Sequence, residues 1–163
     1  MTLVFNKAWA AGFFDGEGCM TLTRQKETPN SKNYAYHPIV ALSSSDKAAI
    51  SMFKRRYGGR LSFGSRKGTQ HRSGLYWCHV DTYNWYCPVH SILRLITELL
   101  PYMRVKNTQA RLLARFVNVR QFHRTFAGSF TPVSEMLKRE RFYLQFKTLN
   151  SYKKRGRKDL NGA

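Results

Sequence analysis

The chain has 163 residues, 42% hydrophobic and 14% aromatic, which suits one domain with a real core and excludes a disordered polyelectrolyte. Its 28 Lys and Arg against 9 Asp and Glu give a formal charge of +19, which points to a polyanionic partner. No apolar run approaches the roughly 20 residues that span a bilayer, and no long basic amphipathic helix stands out, so no membrane partner is expected.

In chain order, Asn6 is a natural N-cap for a helix over Ala8 to Gly18. On that helix Ala8, Ala11, Gly12 and Asp15 fall at i, i+3, i+4 and i+7 and form one small-residue face, where a second helix can approach backbone to backbone. They are the expected dimer interface, with Asp15 serving packing or capping. The bulky side, Trp9 and Phe13, is expected in the core. Gly16 and Gly18 stop the helix and leave Glu17 at its negative end, a poor place for a carboxylate. Either Glu17 is solvated beyond a frayed end, or a divalent cation removes the conflict.

Cys19 to Lys26 alternates as a half-buried strand, with Thr21, Thr23 and Gln25 on its polar side. Tyr34 to Ser44 is a second strand, with Val40 and Leu42 toward the core and Ala35, His37 and Ile39 opposite. Ser43 to Asp46 caps a helix over Lys47 to Tyr57, which Gly58-Gly59 ends. Arg60 to Arg66 is a third strand, with Leu61 and Phe63 inward and Arg60, Ser62 and Arg66 outward. A basic turn from Lys67 leads to a fourth strand, Leu75 to Asp81, with Trp77 and His79 on one face. Pro88 opens a helix to about Leu100. Further helices cover Lys106 to about Arg124 and Val133 to about Tyr152, and the second ends in a basic run that includes Lys153, Lys154 and Arg155.

Helix, two strands, helix, two strands, helix is an α+β pattern: an antiparallel sheet covered on one face, followed by C-terminal helices. The chain reads as a single domain over 1–163, with a basic extension from about 133. The uncovered face of the sheet suits a DNA major groove. Thr21, Thr23, Gln25, His37, Arg60, Ser62, Arg66, Lys67, Trp77 and His79 are its candidate DNA contacts, and Lys153, Lys154 and Arg155 are candidate phosphate contacts. Cys19, Cys78 and Cys87 have no paired spacing and read as reduced and mostly buried; the five histidines are scattered. With neither signal nor transit peptide in view, the chain is expected to work inside a prokaryotic or archaeal cytoplasm, or in an organelle that encodes it.

Ala10 to Gly18, AAGFFDGEG, resembles the LAGLIDADG motif of homing endonucleases. Leu99 to Ala110, LLPYMRVKNTQA, resembles the segment that carries that family's active-site lysine, here Lys106. The likeness spans roughly residues 6 to 122 and includes one such motif; single-motif chains in that family are homodimers. It implies an αββαββα fold whose antiparallel sheet forms a DNA-binding saddle. It also implies two Glu17 side chains brought together by a two-fold axis, the Gly16 carbonyl as an extra ligand, and Mg²⁺ (Mn²⁺ substituting) as the ion. Lys106 then polarises the scissile phosphate or a bound water. The implied activity is site-specific cleavage of double-stranded DNA at a long, pseudo-palindromic target. An RNA maturase acting on intron RNA, or a non-catalytic DNA-binding regulator, are the rival readings. One position departs from the pattern: the solvent-positioning Gln after strand two falls on Ser44-Ser45, where Ser44 or Lys47 are the available substitutes.

Overall fold

Asn6 starts the first helix, α1 (Lys7–Glu17), by accepting the amides of Ala8 and Trp9 at 2.9 and 3.1 Å. Then follow β1 (Gly18–Lys26), β2 (Tyr34–Ser44), α2 (Lys47–Tyr57), β3 (Arg60–Gly64) and β4 (Thr82–Tyr86). The chain continues through a 3₁₀ turn into α3 (Ile92–Leu99), a second 3₁₀ turn (Leu100–Tyr102), α4 (Asn107–Phe122) and α5 (Val133–Lys158). This computed structural model describes residues 5–26, 34–65, 68, 80–122 and 132–158, without the side chains of 120–122 and 152–158. The four strands form one sheet in the order β1-β2-β4-β3, and β4 is antiparallel to both its neighbours. No helix among the described residues is long and apolar enough to cross a membrane.

The fourth strand is not where the sequence suggested. Of the expected Leu75–Asp81 strand, 75–79 lie outside the described residues, and Val80 and Asp81 are not in a strand. The strand is Thr82–Tyr86, a β-branched and aromatic segment that a central strand favours. Pairing puts Trp85 opposite Leu42 and Leu61, and Asn84 opposite Ser43 and Ser62.

The chain groups into two compact units, each built from separate segments. In the first (1–19 and 39–106), α1 packs on α3, and α2 lies against β3 and β4. Trp85 is fully buried beside Phe53 and Tyr57, and its Nε1–H donates to the Gly58 carbonyl at 2.7 Å. Gly58 and Gly59 turn with φ of 75° and 92°, and a side chain at Gly59 would run into the Tyr86 carbonyl. Asp46 caps α2 by accepting the Ala49 amide at 3.0 Å, as its sequence position predicts.

The bulky side of α1 is not its core side. Ala10, Ala11, Phe14 and Asp15 are buried, whereas Trp9 is 43% exposed and Phe13 half-buried. Small residues permit the close approach, and the two large rings stack on each other at 5.2 Å at the rim beside Phe53. Phe63 also departs from expectation. It is 58% exposed at the end of β3, with Tyr83 as its ring partner at 5.3 Å.

In the second unit (20–38 and 107–163), β1 alternates as the sequence implies: Met20 and Leu22 are buried and Gln25 is exposed. Helix α4 buries Leu112, Leu113, Phe116 and Val117, and Phe116 meets Phe142 of α5 edge-on at 5.8 Å. Helix α5 is fastened to the strands by polar groups. Glu140 pairs with Arg24 at 2.8 Å and accepts the Tyr36 hydroxyl, and the Arg24 guanidinium lies over the Tyr34 and Tyr143 rings. Burial, then the Glu140 bond, pushes the Tyr36 phenol well above its usual range. The helix does not stop near Tyr152; it runs on to Lys158, because Lys and Arg are good helix formers and suit a helix C-terminus.

Candidate active site and nucleic-acid interface

The end of α1 is shaped by Gly18, which goes straight from helix to strand with extended backbone (φ −80°, ψ 155°) and donates its N–H to the Phe14 carbonyl. A Cβ at Gly18 would sit 2.5 Å from the Phe14 ring and carbonyl, so only glycine fits. The turn leaves Gly16 and Glu17 exposed at the helix terminus.

Asp15 points the other way. It is 9% exposed, and its carboxylate accepts three consecutive amides: Arg104 at 2.6 Å and Val105 at 3.0 Å on Oδ2, and Lys106 at 2.9 Å on Oδ1. Burial opposes the charge, but the three amides and the Lys106 ammonium outweigh it and hold the carboxyl below its usual pKa. The Lys106 side chain returns the contact, its Nζ donating to the backbone carbonyl of Asp15. The ammonium thus sits at the negative end of α1 and supplies part of the compensation that the position of Glu17 demanded. Cys19 follows directly; it is exposed, not buried as expected, and burial of the sulfur still raises its pKa despite nearby Lys106.

The four-residue small face divides. Ala11 is fully buried and Asp15 nearly so within one chain. Ala8, Gly12 and Gly16 are exposed at four-residue spacing, and a Cβ at Gly12 or Gly16 would meet nothing within 4 Å. Among the described residues, no three His, Cys, Asp or Glu are grouped to hold a metal ion, so one chain offers Glu17 as a single carboxylate.

On the face opposite the helices, the first unit presents Arg60 exposed beside Tyr86, and Ser62 beside Asn84. Sequence reasoning missed Ser43, Asn84 and Tyr86. Ser43 Oγ donates to Asn84 Oδ1 at 2.5 Å, Ser62 Oγ donates to the Asn84 carbonyl at 3.5 Å, and Tyr86 is 48% exposed. The signal was the alternation Tyr-Asn-Trp-Tyr, in which a buried Trp85 turns Asn84 and Tyr86 outward. In the second unit Gln25 is exposed and Thr21, Thr23 and His37 are half-buried. Thr23 Oγ1 donates to the His37 carbonyl at 3.4 Å, and Thr21 Oγ1 accepts Asn150 Nδ2 at 3.4 Å. Arg66, Lys67, Trp77 and His79 lie outside the described residues, as do the side chains of Lys153, Lys154 and Arg155. Of the two substitutes for the missing Gln, Ser44 accepts the Asp46 amide at 3.2 Å, and Lys47 is exposed 5.7 Å above the Tyr83 ring.

No family model matches the chain, and no curated protein matches it. Solved structures do match it in fold. The homing endonuclease I-CvuI, in complex with its target in the presence of calcium, superposes with a TM-score of 0.64 at 16% identity, over 88% of this chain and 80% of that one. The archaeal intron-encoded homing endonuclease I-Vdi141I, complexed with DNA, gives 0.64 at 15% identity over 87% and 82%. The LAGLIDADG homing endonuclease I-LtrWI, bound to target DNA, gives 0.61 at 16% identity over 85% of this chain and 43% of its own. The fold is that of the LAGLIDADG homing endonucleases, as the motif resemblance implied.

Proposed function

We propose that the protein is a site-specific double-strand DNA endonuclease that acts as a homodimer with a divalent cation. The observation that carries this reading is the exposed Glu17 carboxylate at the end of α1, on the same helix as the open row Ala8, Gly12 and Gly16. Two such helices crossed on their small residues would bring both Glu17 side chains to one place. The charge of +19 and the strand faces of each unit supply the binding surface that DNA requires.

The donor set fits a hard cation: a carboxylate per protomer and the carbonyl of the exposed Gly16, all oxygen. Mg²⁺ is the proposed ion, with Mn²⁺ as substitute. When bound, such an ion supplies an activated water, a neutralised phosphate and a stabilised leaving oxygen. The chain's own part is to hold two Glu17 carboxylates together without burying them, to keep the Lys106 cation at the same helix end, and to position the duplex by polar strand faces. The target is proposed to be long and pseudo-palindromic, mirroring the dimer axis.

The test is incubation of a randomised DNA site library with protein and Mg²⁺, with Ca²⁺ as control, and sequencing of the cut ends. Recovery of one family of pseudo-palindromic sites cut in Mg²⁺ is the expected result. Specific binding with no cutting in Mg²⁺ or Mn²⁺ would leave a DNA-binding regulator as the better reading.

A further inference from the structure

We infer that Asp15 and Lys106 form a reciprocal clamp that positions the cutting site, with Lys106 acting through the end of α1. The inference rests on the endonuclease reading above. Four bonds join the two residues' neighbourhoods. The Asp15 carboxylate takes the amides of Arg104, Val105 and Lys106, and the Lys106 ammonium takes the Asp15 carbonyl. Each residue thus holds the other's backbone. A buried carboxylate that satisfies three N–H donors is expensive to remove, since three amides lose their acceptor together. Gly16 and Glu17 follow Asp15 directly, so any movement of the Asp15 peptide moves the proposed metal ligands with it. Lys106 closes the segment Arg104 to Lys106 whose three amides Asp15 holds.

The geometry gives Lys106 a role at the helix end in its own right. An ammonium engaged with a main-chain carbonyl at a helix terminus acts as a C-cap. Its like charge near Gly16 and Glu17 also opposes a cation there, so loss of the ammonium weakens positioning while favouring cation binding. A lysine that met the phosphate alone would leave the exchange of the Arg104, Val105 and Lys106 amides unchanged.

The experiment uses Lys106→Met, Lys106→Arg, Asp15→Asn and the Asp15→Asn/Lys106→Met double variant. The first readout is backbone amide hydrogen exchange of Arg104, Val105 and Lys106 in protein free of metal and DNA. Lys106→Met removes none of their acceptors, yet a reciprocal clamp requires their exchange to speed up, by tenfold or more, and Lys106→Arg to restore most of the protection. The second readout is single-turnover nicking across a Mg²⁺ titration, with target affinity measured in Ca²⁺. The expected pattern for Lys106→Met is at least a tenfold slower maximal rate, target affinity within about threefold of parent, and half-saturation at a lower Mg²⁺ concentration. The double variant should nick no more than about threefold slower than the slower single variant, because the two residues act as one unit. Asp15→Asn that fails to fold leaves Lys106→Met to decide. Unchanged amide exchange in Lys106→Met, parental nicking in that variant, or a Mg²⁺ requirement that rises would each overturn the clamp. A parent protein that nicks no site sinks the endonuclease reading instead, while the exchange data still report on the clamp.

Discussion

Glu98 takes both ends of the Arg56 guanidinium, Nε at 3.0 Å and Nη2 at 2.8 Å. The Tyr57 hydroxyl and Arg94 Nε complete its set at 3.1 and 3.2 Å. A carboxylate on α3 thereby ties down the last turn of α2.

That arrangement sets a pH dependence. The hydrogen bonds from Arg56, against the cost of burial and with help from Arg94 and Tyr57, hold the Glu98 carboxyl down at about 2 from a usual 4.5. A depressed folded-state pKa contributes stability that is complete above the unfolded value and is lost as pH falls. The loss attributable to Glu98 should therefore run from about pH 4.5 down to about 2. Glu98→Gln should cost about 1–3 kcal/mol at neutral pH, the worth of charge-assisted bonds, and flatten the acid limb in that window. Urea midpoints taken at steps from pH 7 to 2.5 would check this; an acid limb of parental steepness in the variant would count against it.

Gly12→Leu separates folding from assembly. In one chain a Cβ at Gly12 meets nothing within 4 Å, and glycine in a helix interior is worth about 1 kcal/mol less than a good helix former. The protomer should thus be no less stable, while the bulk keeps a second α1 away. Sedimentation should show a monomer with an unchanged or raised melting midpoint. A tight dimer of the leucine protein would remove α1 from the interface.

Glu17→Gln keeps the shape of the exposed side chain and discards the charge that would hold a cation. Nicking should fall toward background, a loss of about 10²–10³-fold on the scale of removing one essential charge-stabilising group. Target affinity should hold or tighten, since two negative charges per dimer leave the neighbourhood of phosphate. Binding and nicking assayed side by side in Mg²⁺ decide the matter, and near-parental cutting would falsify the metal-site assignment.

Asn84→Ala tests the strand face. Its side chain is held by Ser43 across the β2–β4 pair and stands between Ser43 and Ser62. A base-edge contact carries about 1–3 kcal/mol of discrimination at its own base pair. Preference should relax at one position per half-site, with affinity for other sequences and the salt slope retained. A uniform loss across all sequences would return Asn84 to a structural part.

Much of this was readable locally. Asn6 and Asp46 cap the helices they precede, and the alternation of Met20 and Leu22 against Thr21 and Thr23 fixes which side of β1 is buried. What could not be read depends on partners distant in the chain. Trp9 and Phe13 look like core by size, but the covered side of α1 is set by what packs on it, α3 included, and Ala10 and Ala11 are the residues it buries. The amides that Asp15 serves are about 90 residues away, so nothing near residue 15 announces them. The β4 strand was obscured by a stronger alternation just upstream and by the helix-starting Pro88, which left Thr82–Tyr86 looking like a connector.

Helix α5 is 26 residues long, close to 40 Å at 1.5 Å per residue, and its basic final turns belong to the same helix that Glu140 fastens to Arg24 and Tyr36. An unstructured arm that meets a polyanion must give up conformational freedom at that moment, about 1–2 kcal/mol for each residue ordered. Lys153 to Lys158 have given it up on folding. The backbone of the run is therefore a rod and not a tether, with a set rise for each residue. Shortening it by one residue would rotate every later backbone position by about 100° around the helix axis, and removing about four would restore the original side at one turn's less reach.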